Sequence, residues 1–231
     1  MDKFGLIGHP IAHSVSPAIF SKAYDGRWPY ELIEGEDFGQ SWKRFLDGYK
    51  AINITAPFKE PAFRKVASEG VLDESVKPIG AINIAVKEAD GLVHGYNSDY
   101  LGVLQLMKDL GYGPGSTVVV AGFGGAGKAA AAAARKLGCD TIICNRSRYT
   151  PDIRPLEELP VLAGVADLLI YTLAFPIPEL EETACPAILE ANYKSPCLSG
   201  RPGYISGKLW HRAQAVTGYP LMTGCPVEAQ L

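Results

Sequence analysis

The chain has 231 residues, of which 47% are hydrophobic and 20% are charged, as is usual for globular proteins. With 22 lysines and arginines against 25 aspartates and glutamates, its net charge of −3 argues against a nucleic-acid-binding protein, whose binding surface is normally basic. No apolar run approaches the roughly 20 residues that span a bilayer, so we expect no membrane partner. No apolar leader opens the chain, and the five cysteines include no Cys-x-x-Cys pair, so we expect a cytoplasmic protein.

The first hundred residues alternate short apolar runs with helical patterns, and glycine or proline ends most of them. An apolar run over Lys3–Gly8 ends in a Gly-His-Pro turn and predicts a buried strand. Ser16-Pro17 is typical of a helix start, because proline fits the first helical position. Further strands are predicted at Tyr30–Ile33, Ala51–Thr55, Ala81–Val86 and Leu92–Tyr96, and helices at Phe38–Tyr49, Pro61–Ser68 and Asp99–Leu110.

The pattern changes near Gly102–Pro114, which we take as the boundary between two domains. After it, a β-branched strand at Ser116–Ala121 leads into a glycine-rich loop and then a helix with six consecutive alanines. This order of strand, glycine loop, helix and strand is typical of the start of a parallel sheet. Later strands are predicted at Thr141–Cys144, Val165–Tyr171 and Ala187–Ala191, and a last helix at Tyr204–Met222.

The glycine loop has the spacing Gly-x-Gly-x-x-Gly between a strand and a helix. In this pattern the first glycine permits a tight turn, the second lets a pyrophosphate approach the backbone, and the third lets the helix pack against the strand. The helix N-terminus then attracts the phosphates. We predict a dinucleotide site, and the alternative is a glycine-rich turn without a ligand. The predicted site residues are Gly122, Gly124, Gly125, Ala126 and Gly127.

The residues after the second strand of this domain distinguish between two dinucleotides. Sites for NAD carry a carboxylate there for the ribose 2′-hydroxyl, but here Cys144 is followed by Asn145, Arg146, Ser147 and Arg148. Because an arginine can bind a 2′-phosphate through two hydrogen bonds, the sequence favours NADP. The alternative is that both arginines are solvated charges of a loop.

Three polar clusters follow predicted elements in the first hundred residues. Two serines, two residues apart, come after the first strand, so both hydroxyls can face one ligand. An asparagine and a threonine share one face of the third strand, with a lysine just past its end. An asparagine and an aspartate stand at the entry to a helix. The four histidines show no metal-ligand spacing, so we expect no metal. The clustered residues are Ser14, Ser16, Asn53, Thr55, Lys59, Asn97 and Asp99.

In this order the motifs resemble those of the shikimate dehydrogenase family over nearly the whole chain. The segment 14–17, Ser-Val-Ser-Pro, is similar to the family's hydroxyl pair for the substrate carboxylate. The segment 53–59 is similar to its Asn-Val-Thr-x-Pro-x-Lys motif, whose lysine is catalytic. The segment 80–83 is similar to its Gly-Ala-x-Asn-Thr motif, whose asparagine contacts a ring hydroxyl, and Asn97-Ser98-Asp99 to its Asn-Thr-Asp motif, whose aspartate partners the lysine.

The second half of the chain carries the rest of the resemblance. Gly122–Gly127 and Asn145-Arg146-Ser147 are similar to the family's glycine loop and to its Asn-Arg-Thr clamp for the 2′-phosphate. Gln214 falls where the family has a helix with a substrate-binding glutamine, and Tyr193 fits the tyrosine after its penultimate strand.

The resemblance implies an NADP-dependent oxidoreductase that reversibly reduces 3-dehydroshikimate to shikimate in aromatic amino-acid and chorismate biosynthesis. It implies two α/β domains with an active-site cleft between them: an N-terminal substrate-binding and catalytic domain of residues 1–101 plus 207–231, and a Rossmann-like NADP-binding domain of residues 102–206. The protein would act on this small molecule as a monomer or a homodimer, with Lys59 and Asp99 as catalytic residues. The implied substrate-binding residues are Ser14, Ser16, Asn53, Thr55, Asn83, Tyr193 and Gln214.

Four positions depart from the family motifs. Phe58 replaces a common histidine, Ile84 a threonine and Asn192 an aspartate, and Ile170–Ala174 replaces an Asn-Ala-Thr-Pro strand end near the nicotinamide. Because Ile84 changes the polarity beside the Asn83 motif, a dehydrogenase of relaxed specificity for quinate and shikimate is one alternative. A non-catalytic paralogue that only binds a ligand is another, and the altered segment at 170–174 motivates it.

Each predicted site residue also has a purely structural interpretation when it is taken alone. Ser16 and Asp99 could be N-caps of helices, and Asn83 could satisfy a turn. Lys59 and Gln214 could be solvated surface residues. The functional interpretation depends on their joint occurrence.

Overall fold

The computed structural model describes residues 1–147 and 150–228 and divides them into two compact units. The first unit contains Met1–Ser98 and the segment from Gln214 onward, and the second contains Asp99–Ala213. Both boundaries fall inside helices, whereas the sequence-based division places them after residue 101 and before residue 207. The first unit is therefore built from both ends of the chain.

The first unit contains a six-stranded mixed sheet in the order β2-β1-β3-β5-β6-β4. Strand β1 runs parallel to β2 and β3, and β5 runs antiparallel to β3 and β6. The strands are β1 (Phe4–Gly8), β2 (Tyr30–Glu34), β3 (Ala51–Ile54), β4 (Val71–Leu72), β5 (Ile84–Lys87) and β6 (Val93–Tyr96). The helices that follow them are α1 (Ser16–Ala23), α2 (Phe38–Gly48), α3 (Lys59–Glu69) and α4 (Ser98–Asp109), the last of which continues into the second unit.

Apolar side chains on both faces of this sheet explain its stability. Every residue of β1 is buried, as expected of a central strand covered on both faces. On one face, α2 buries Trp42 and Phe45, and the Asp37 side chain caps this helix by accepting a hydrogen bond from the Gln40 amide. The other face carries an aromatic cluster with residues from both ends of the chain: Phe4, Phe20, Tyr24, Trp28, Tyr30 and Tyr219.

The second unit contains a six-stranded parallel sheet in the order β12-β11-β10-β7-β8-β9. Numbered from its first strand, this is the 3-2-1-4-5-6 order of Rossmann folds, with the change of direction at β7. The strands are β7 (Thr117–Ala121), β8 (Asp140–Asn145), β9 (Ile153–Pro155), β10 (Leu168–Tyr171), β11 (Ile188–Glu190) and β12 (Tyr204–Ser206). The helices are α5 (Gly125–Lys136), α6 (Leu159–Ala163) and α7 (Gly207–Thr223), and the last helix continues into the first unit.

Two expectations about local structure are wrong. The last helix begins at Gly207, three residues later than predicted. The reason is that Tyr204–Ser206 pairs with β11 as an edge strand, a contact that no local pattern reveals. Ser16 is not an N-cap: it is the first residue of α1, and Val15 holds the cap position without a capping side-chain hydrogen bond. Among the described residues, no helix is long and apolar enough to cross a membrane. The same residues contain no group of three potential metal ligands.

Candidate active site

The loop after β1 brings the two predicted serines together. The Ser14 hydroxyl donates to the Ser16 hydroxyl at 3.0 Å, and the Ser16 amide donates to Ser14 Oγ at 3.3 Å. Both serines are half-buried. A Cβ on Gly8 would lie only 2.4 Å from the Thr55 methyl group, so this glycine allows the Thr55 side chain to lie against the end of β1. The serine pair and Thr55 therefore lie at neighbouring strand ends of the same sheet.

Tyr30 connects the serine pair to the asparagine of β3. Its hydroxyl donates to Asn53 Oδ1 at 2.8 Å and forms a second hydrogen bond with the Ser16 hydroxyl. Burial raises the pKa of Tyr30 well above its ordinary value, and the nearby Tyr219 adds to this rise, while the bond from Ser16 opposes it. The phenol is consequently neutral at physiological pH. Tyr30 has no distinctive sequence motif, and the sequence analysis did not single it out.

Asn83 continues the same network at its other end. The Asn53 Nδ2 group lies 3.5 Å from the Asn83 carbonyl, and Asn83 Oδ1 accepts from the Ser98 amide at 2.6 Å. The Asn83 side chain therefore satisfies the first amide of α4, and the neighbouring Asn97 donates to the Ala81 carbonyl at 2.9 Å. Within residues 1–147 and 150–228, the Nδ2 group of Asn83 donates to no protein acceptor, so this amide remains available for a ligand.

Lys59 is the first residue of α3 and is half-buried. Its main-chain carbonyl accepts a hydrogen bond from the Ile82 amide at 3.2 Å, which fixes the start of α3 beside the Asn83 segment. The preceding Phe58 is 3% exposed and packs edge-on against Phe38, with ring centroids 5.6 Å apart. The phenylalanine that replaces the family's histidine thus belongs to the core and anchors the turn that presents Lys59. Gln214 lies on α7 in the same unit and is half-buried.

Asp99 belongs to the second unit, where it is the second residue of α4 and is 8% exposed. It is therefore not the N-cap of this helix. Its main-chain carbonyl accepts a hydrogen bond of 2.8 Å from the indole nitrogen of Trp210. The next residue, His211, packs its ring on Tyr193 with centroids 5.2 Å apart. Burial lowers the pKa of His211, an effect that the charge of Asp99 opposes and that of Lys194 reinforces.

Sequence reasoning missed Trp210 and His211. The available signal was their spacing, because Trp210 lies four residues before Gln214 and hence on the same face of α7.

Asn192, which replaces an aspartate of the family motif, has a clear local role: its carboxamide accepts from the Ser195 amide and donates to the Ser195 carbonyl. A carboxylate could not make both bonds, so the amide closes the turn that carries Tyr193.

The glycine loop between β7 and α5 has the geometry of a phosphate cradle. Gly122 has a φ of +95°, and a Cβ on it would lie 2.5 Å from Thr172 Oγ1. A Cβ on Gly127 would lie 2.1 Å from the Gly122 carbonyl oxygen, so only glycine lets α5 approach β7 this closely. Around Gly124 and Gly125 a Cβ would meet no atom within 4 Å. Open space therefore faces the N-terminus of α5, and Ala126 follows as its second residue.

The end of β8 is bound to this loop. Asn145 Oδ1 accepts from the Phe123 amide at 3.2 Å, and its Nδ2 donates to the Ser147 carbonyl at 2.7 Å. Arg146 and Ser147 are exposed beside it, and Arg148 lies outside the described residues. No carboxylate follows β8 directly. The next one along the chain, Asp152, lies seven residues after Asn145 and pairs with Arg135 at 3.5 Å.

Comparison with known proteins identifies the family. A model of the shikimate dehydrogenase substrate binding domain matches residues 6–85. The NADP(+) shikimate dehydrogenase of Natronomonas pharaonis is 33% identical over 217 residues, which cover 84% of this chain and 80% of that protein. The chain belongs to the shikimate dehydrogenase family.

Solved structures of shikimate dehydrogenases agree with this assignment. Shikimate 5-dehydrogenase of Thermus thermophilus in complex with shikimate superposes with a TM-score of 0.81 at 28% identity, and the match covers 99% of this chain and 95% of that one. The same enzyme in complex with NADP(H) and shikimate gives a TM-score of 0.79 at 26% identity with the same coverage of both chains.

Two departures from the shikimate dehydrogenase motifs are accounted for by core packing. Tyr171 is fully buried in the core of the second unit, where its hydroxyl donates to the Phe175 carbonyl at 2.5 Å and burial raises its pKa. Ile84 is fully buried in the aromatic cluster of the first unit, close to where a Cβ on Gly218 would lie. Neither side chain introduces a new polar group at a predicted site residue.

Proposed function

We propose that this protein catalyses the reversible, NADP-dependent interconversion of shikimate and 3-dehydroshikimate. In a chain of this family, the observation that carries the proposal is one hydrogen-bonded network that joins Ser14, Ser16, Asn53 and Asn83 through Tyr30. These residues come from four separate segments of sequence. We assign dinucleotide binding to the second unit, and substrate binding and catalysis to the first unit apart from Asp99 and Tyr193.

The substrate carboxylate would be bound by the hydroxyls of Ser14 and Ser16, whose O–H bonds would rotate toward it from Ser16 and Tyr30, their present acceptors. Hydroxyl groups bind a carboxylate by charge-assisted hydrogen bonds, and the 3.0 Å spacing of the two oxygens suits the two oxygens of one carboxylate. Asn83 would offer an N–H group of its side-chain amide to a ring hydroxyl. The other ring hydroxyls would be bound by Asn53, Thr55, Gln214 and Tyr193. A site of this kind rejects analogues that lack a hydroxyl, because its buried polar groups would be left unpaired.

The catalytic residues in this proposal are Lys59 and Asp99. As shikimate is oxidised, the reacting hydroxyl must lose its proton, and an amine at the start of α3 can accept it and return it in the reverse direction. The Asp99 carboxylate would orient Lys59 and the substrate hydroxyl, and such orientation is a large part of many catalytic rate enhancements. Asp99 is 8% exposed, and a carboxylate in such surroundings would act more strongly on a bound group than it does in water.

The glycine loop and the end of β8 fit NADP. Bound NADP⁺ would supply the hydride acceptor of the oxidation. The open space at Gly124 and Gly125 and the free amides of the first turn of α5 suit the pyrophosphate. Arg146, with Asn145 and Ser147 beside it, offers a guanidinium for the 2′-phosphate, and we propose the same role for Arg148. The lack of a carboxylate directly after β8 disfavours NAD.

A spectrophotometric assay at 340 nm tests this proposal. The protein is incubated with shikimate or quinate, each with NADP⁺ or NAD⁺, and formation of reduced cofactor is followed. Turnover with shikimate and NADP⁺ well above the other three combinations is the expected result. Equal turnover of quinate would instead indicate relaxed specificity. A folded protein that binds ligand but turns over none of the four combinations would be a non-catalytic paralogue.

A further inference from the structure

The first turn of α7 is fixed to the sheet of the second unit by close backbone packing. A Cβ on Gly207 would lie 2.4 Å from the Glu190 carbonyl oxygen and 2.5 Å from that of Ala191. These distances are shorter than real Cβ contacts, so only glycine permits the approach. The Glu190 side chain is itself fully buried and accepts hydrogen bonds from the amides of Cys197 and Leu198. The starting point of α7 is therefore held rigidly at the end of β11.

Trp210 extends from this fixed turn to Asp99. Its indole ring is 2% exposed, and its N–H group donates to the Asp99 carbonyl at 2.8 Å. The direction of this bond is unambiguous, because an indole nitrogen can only donate and a carbonyl can only accept. The two residues are 111 positions apart in sequence, and within the second unit the bond connects α7 to the first turn of α4.

The bond acts on the backbone of Asp99 and therefore on the placement of its carboxylate. A helical carbonyl has two lone pairs, so Asp99 can accept from Trp210 in addition to an amide of its own helix. The aspartate side chain has only two rotatable bonds, and the position of its carboxylate follows its Cα closely. A buried indole N–H that loses its acceptor is costly, so the tryptophan holds this carbonyl in place.

We propose that Trp210 is a positioning residue for Asp99, whose carboxylate it places by holding the main-chain carbonyl of the same residue. This inference rests on the proposed function, in which Asp99 is catalytic. Trp210 contributes to the rate by orientation. A small displacement of a catalytic group is sufficient to slow a reaction strongly. Loss of this single hydrogen bond should therefore lower kcat.

The variant Trp210→Phe tests the proposal, since it removes the N–H group and retains an aromatic ring. The matched control is Trp42→Phe, which removes another buried indole, 5% exposed and packed on Phe38 and Phe45 in the first unit. We expect kcat for shikimate oxidation to fall between about ten- and a hundred-fold in Trp210→Phe. The KM for NADP⁺ should stay within about two-fold of wild type, and the control should keep the wild-type kcat.

A double-mutant cycle with Asp99→Asn separates positioning from a general structural effect. If Trp210 acts through Asp99, adding Trp210→Phe to Asp99→Asn should lower kcat by no more than about two-fold. A loss of kcat in the double variant equal to the product of the two single losses would overturn the proposal. A Trp210→Phe protein with a raised KM for NADP⁺ and an unchanged kcat would overturn it as well. If Trp210→Phe does not fold, a benzothienyl analogue with sulphur in place of the indole nitrogen removes the donor at nearly constant shape.

Turnover by the wild-type protein separates a failure of the proposed function from a failure of the role of Trp210. A wild-type protein without shikimate turnover would overturn the proposed function and this role of Trp210 with it. Wild-type turnover together with full kcat in folded Trp210→Phe would overturn the role of Trp210 alone.

Discussion

Two glycines of the loop between β7 and α5 should lose very different amounts of stability on the same small substitution. In Gly127→Ala the new methyl group would lie 2.1 Å from the Gly122 carbonyl oxygen and 2.8 Å from its carbon. Both atoms belong to the backbone, so the start of α5 or the loop must move by about 1 Å to reach ordinary contact distance. In Gly124→Ala the methyl group would meet no protein atom within 4 Å.

These geometries give separate magnitudes for stability and for affinity. Overpacking of this severity costs about 3 kcal/mol, which lowers the melting temperature of a chain of this size by about 6–12 °C. Gly124 is the N-cap of α5, and alanine at an N-cap is worse than glycine by about 1 kcal/mol, well below the cost of the overpacking at Gly127. Both variants should weaken NADP binding, about ten-fold or more, because each disturbs the approach of the phosphates to the helix N-terminus.

Thermal unfolding and NADPH titration measure the two effects independently. The expected pattern is a large loss of stability and affinity in Gly127→Ala, but a loss of affinity with nearly intact stability in Gly124→Ala. A Gly127→Ala protein as stable as wild type would refute the claim that close helix–strand packing requires glycine there. Wild-type NADPH affinity in Gly124→Ala would refute the placement of the pyrophosphate at the open space.

Three further predictions address catalysis, cofactor choice and pH. Lys59→Ala should abolish turnover at 340 nm while NADPH titration still gives the wild-type affinity, and a near-normal kcat would exclude its acid–base role. Arg146→Ala should lower kcat/KM for NADP⁺ about 10- to 100-fold and leave that for NAD⁺ unchanged, and an equal loss with both cofactors would contradict 2′-phosphate binding. Because the pKa of His211 is lowered in the folded protein, the unfolded chain binds the proton more readily, so stability should fall as the pH drops below about 6.5. Urea unfolding at pH 7.5 and 5.5 should show a smaller fall in His211→Gln than in wild type, and equal falls would exclude this contribution.

Local pattern was sufficient to predict most of the strands and the glycine loop. The β-branched run before Gly122 and the alanine run after it fix a strand, a turn and a helix by short-range chemistry alone. Edge strand β12 was missed, because three residues become a strand only through pairing with β11. Helix α6 was missed too, as its five residues carry too little periodicity.

The site residues were predictable where they form motifs, but their connections were not. Ser14 and Ser16 stand two positions apart, and their contact follows from that spacing. Tyr30 lies far from any motif, and its bond to Asn53 depends on how β2 and β3 flank β1. The bond between Trp210 and Asp99 is of the same kind, since it depends on tertiary packing that a sequence pattern does not encode.

The participation of both chain ends in the first unit has a consequence during synthesis. Tyr24 donates to the Cys225 carbonyl at 3.0 Å and accepts from Thr223 at 2.9 Å, contacts that join residues about two hundred positions apart. As the chain emerges from the ribosome, Phe20 and Tyr24 lack the part of their aromatic packing that Tyr219 supplies until α7 has left the ribosome. The second unit is a single continuous stretch and contains all of its own strands without residues from either chain end. A chain truncated after Ala213 should therefore keep all the strands of the second unit, whereas its first unit would lack the contacts that Tyr219 and Thr223 supply.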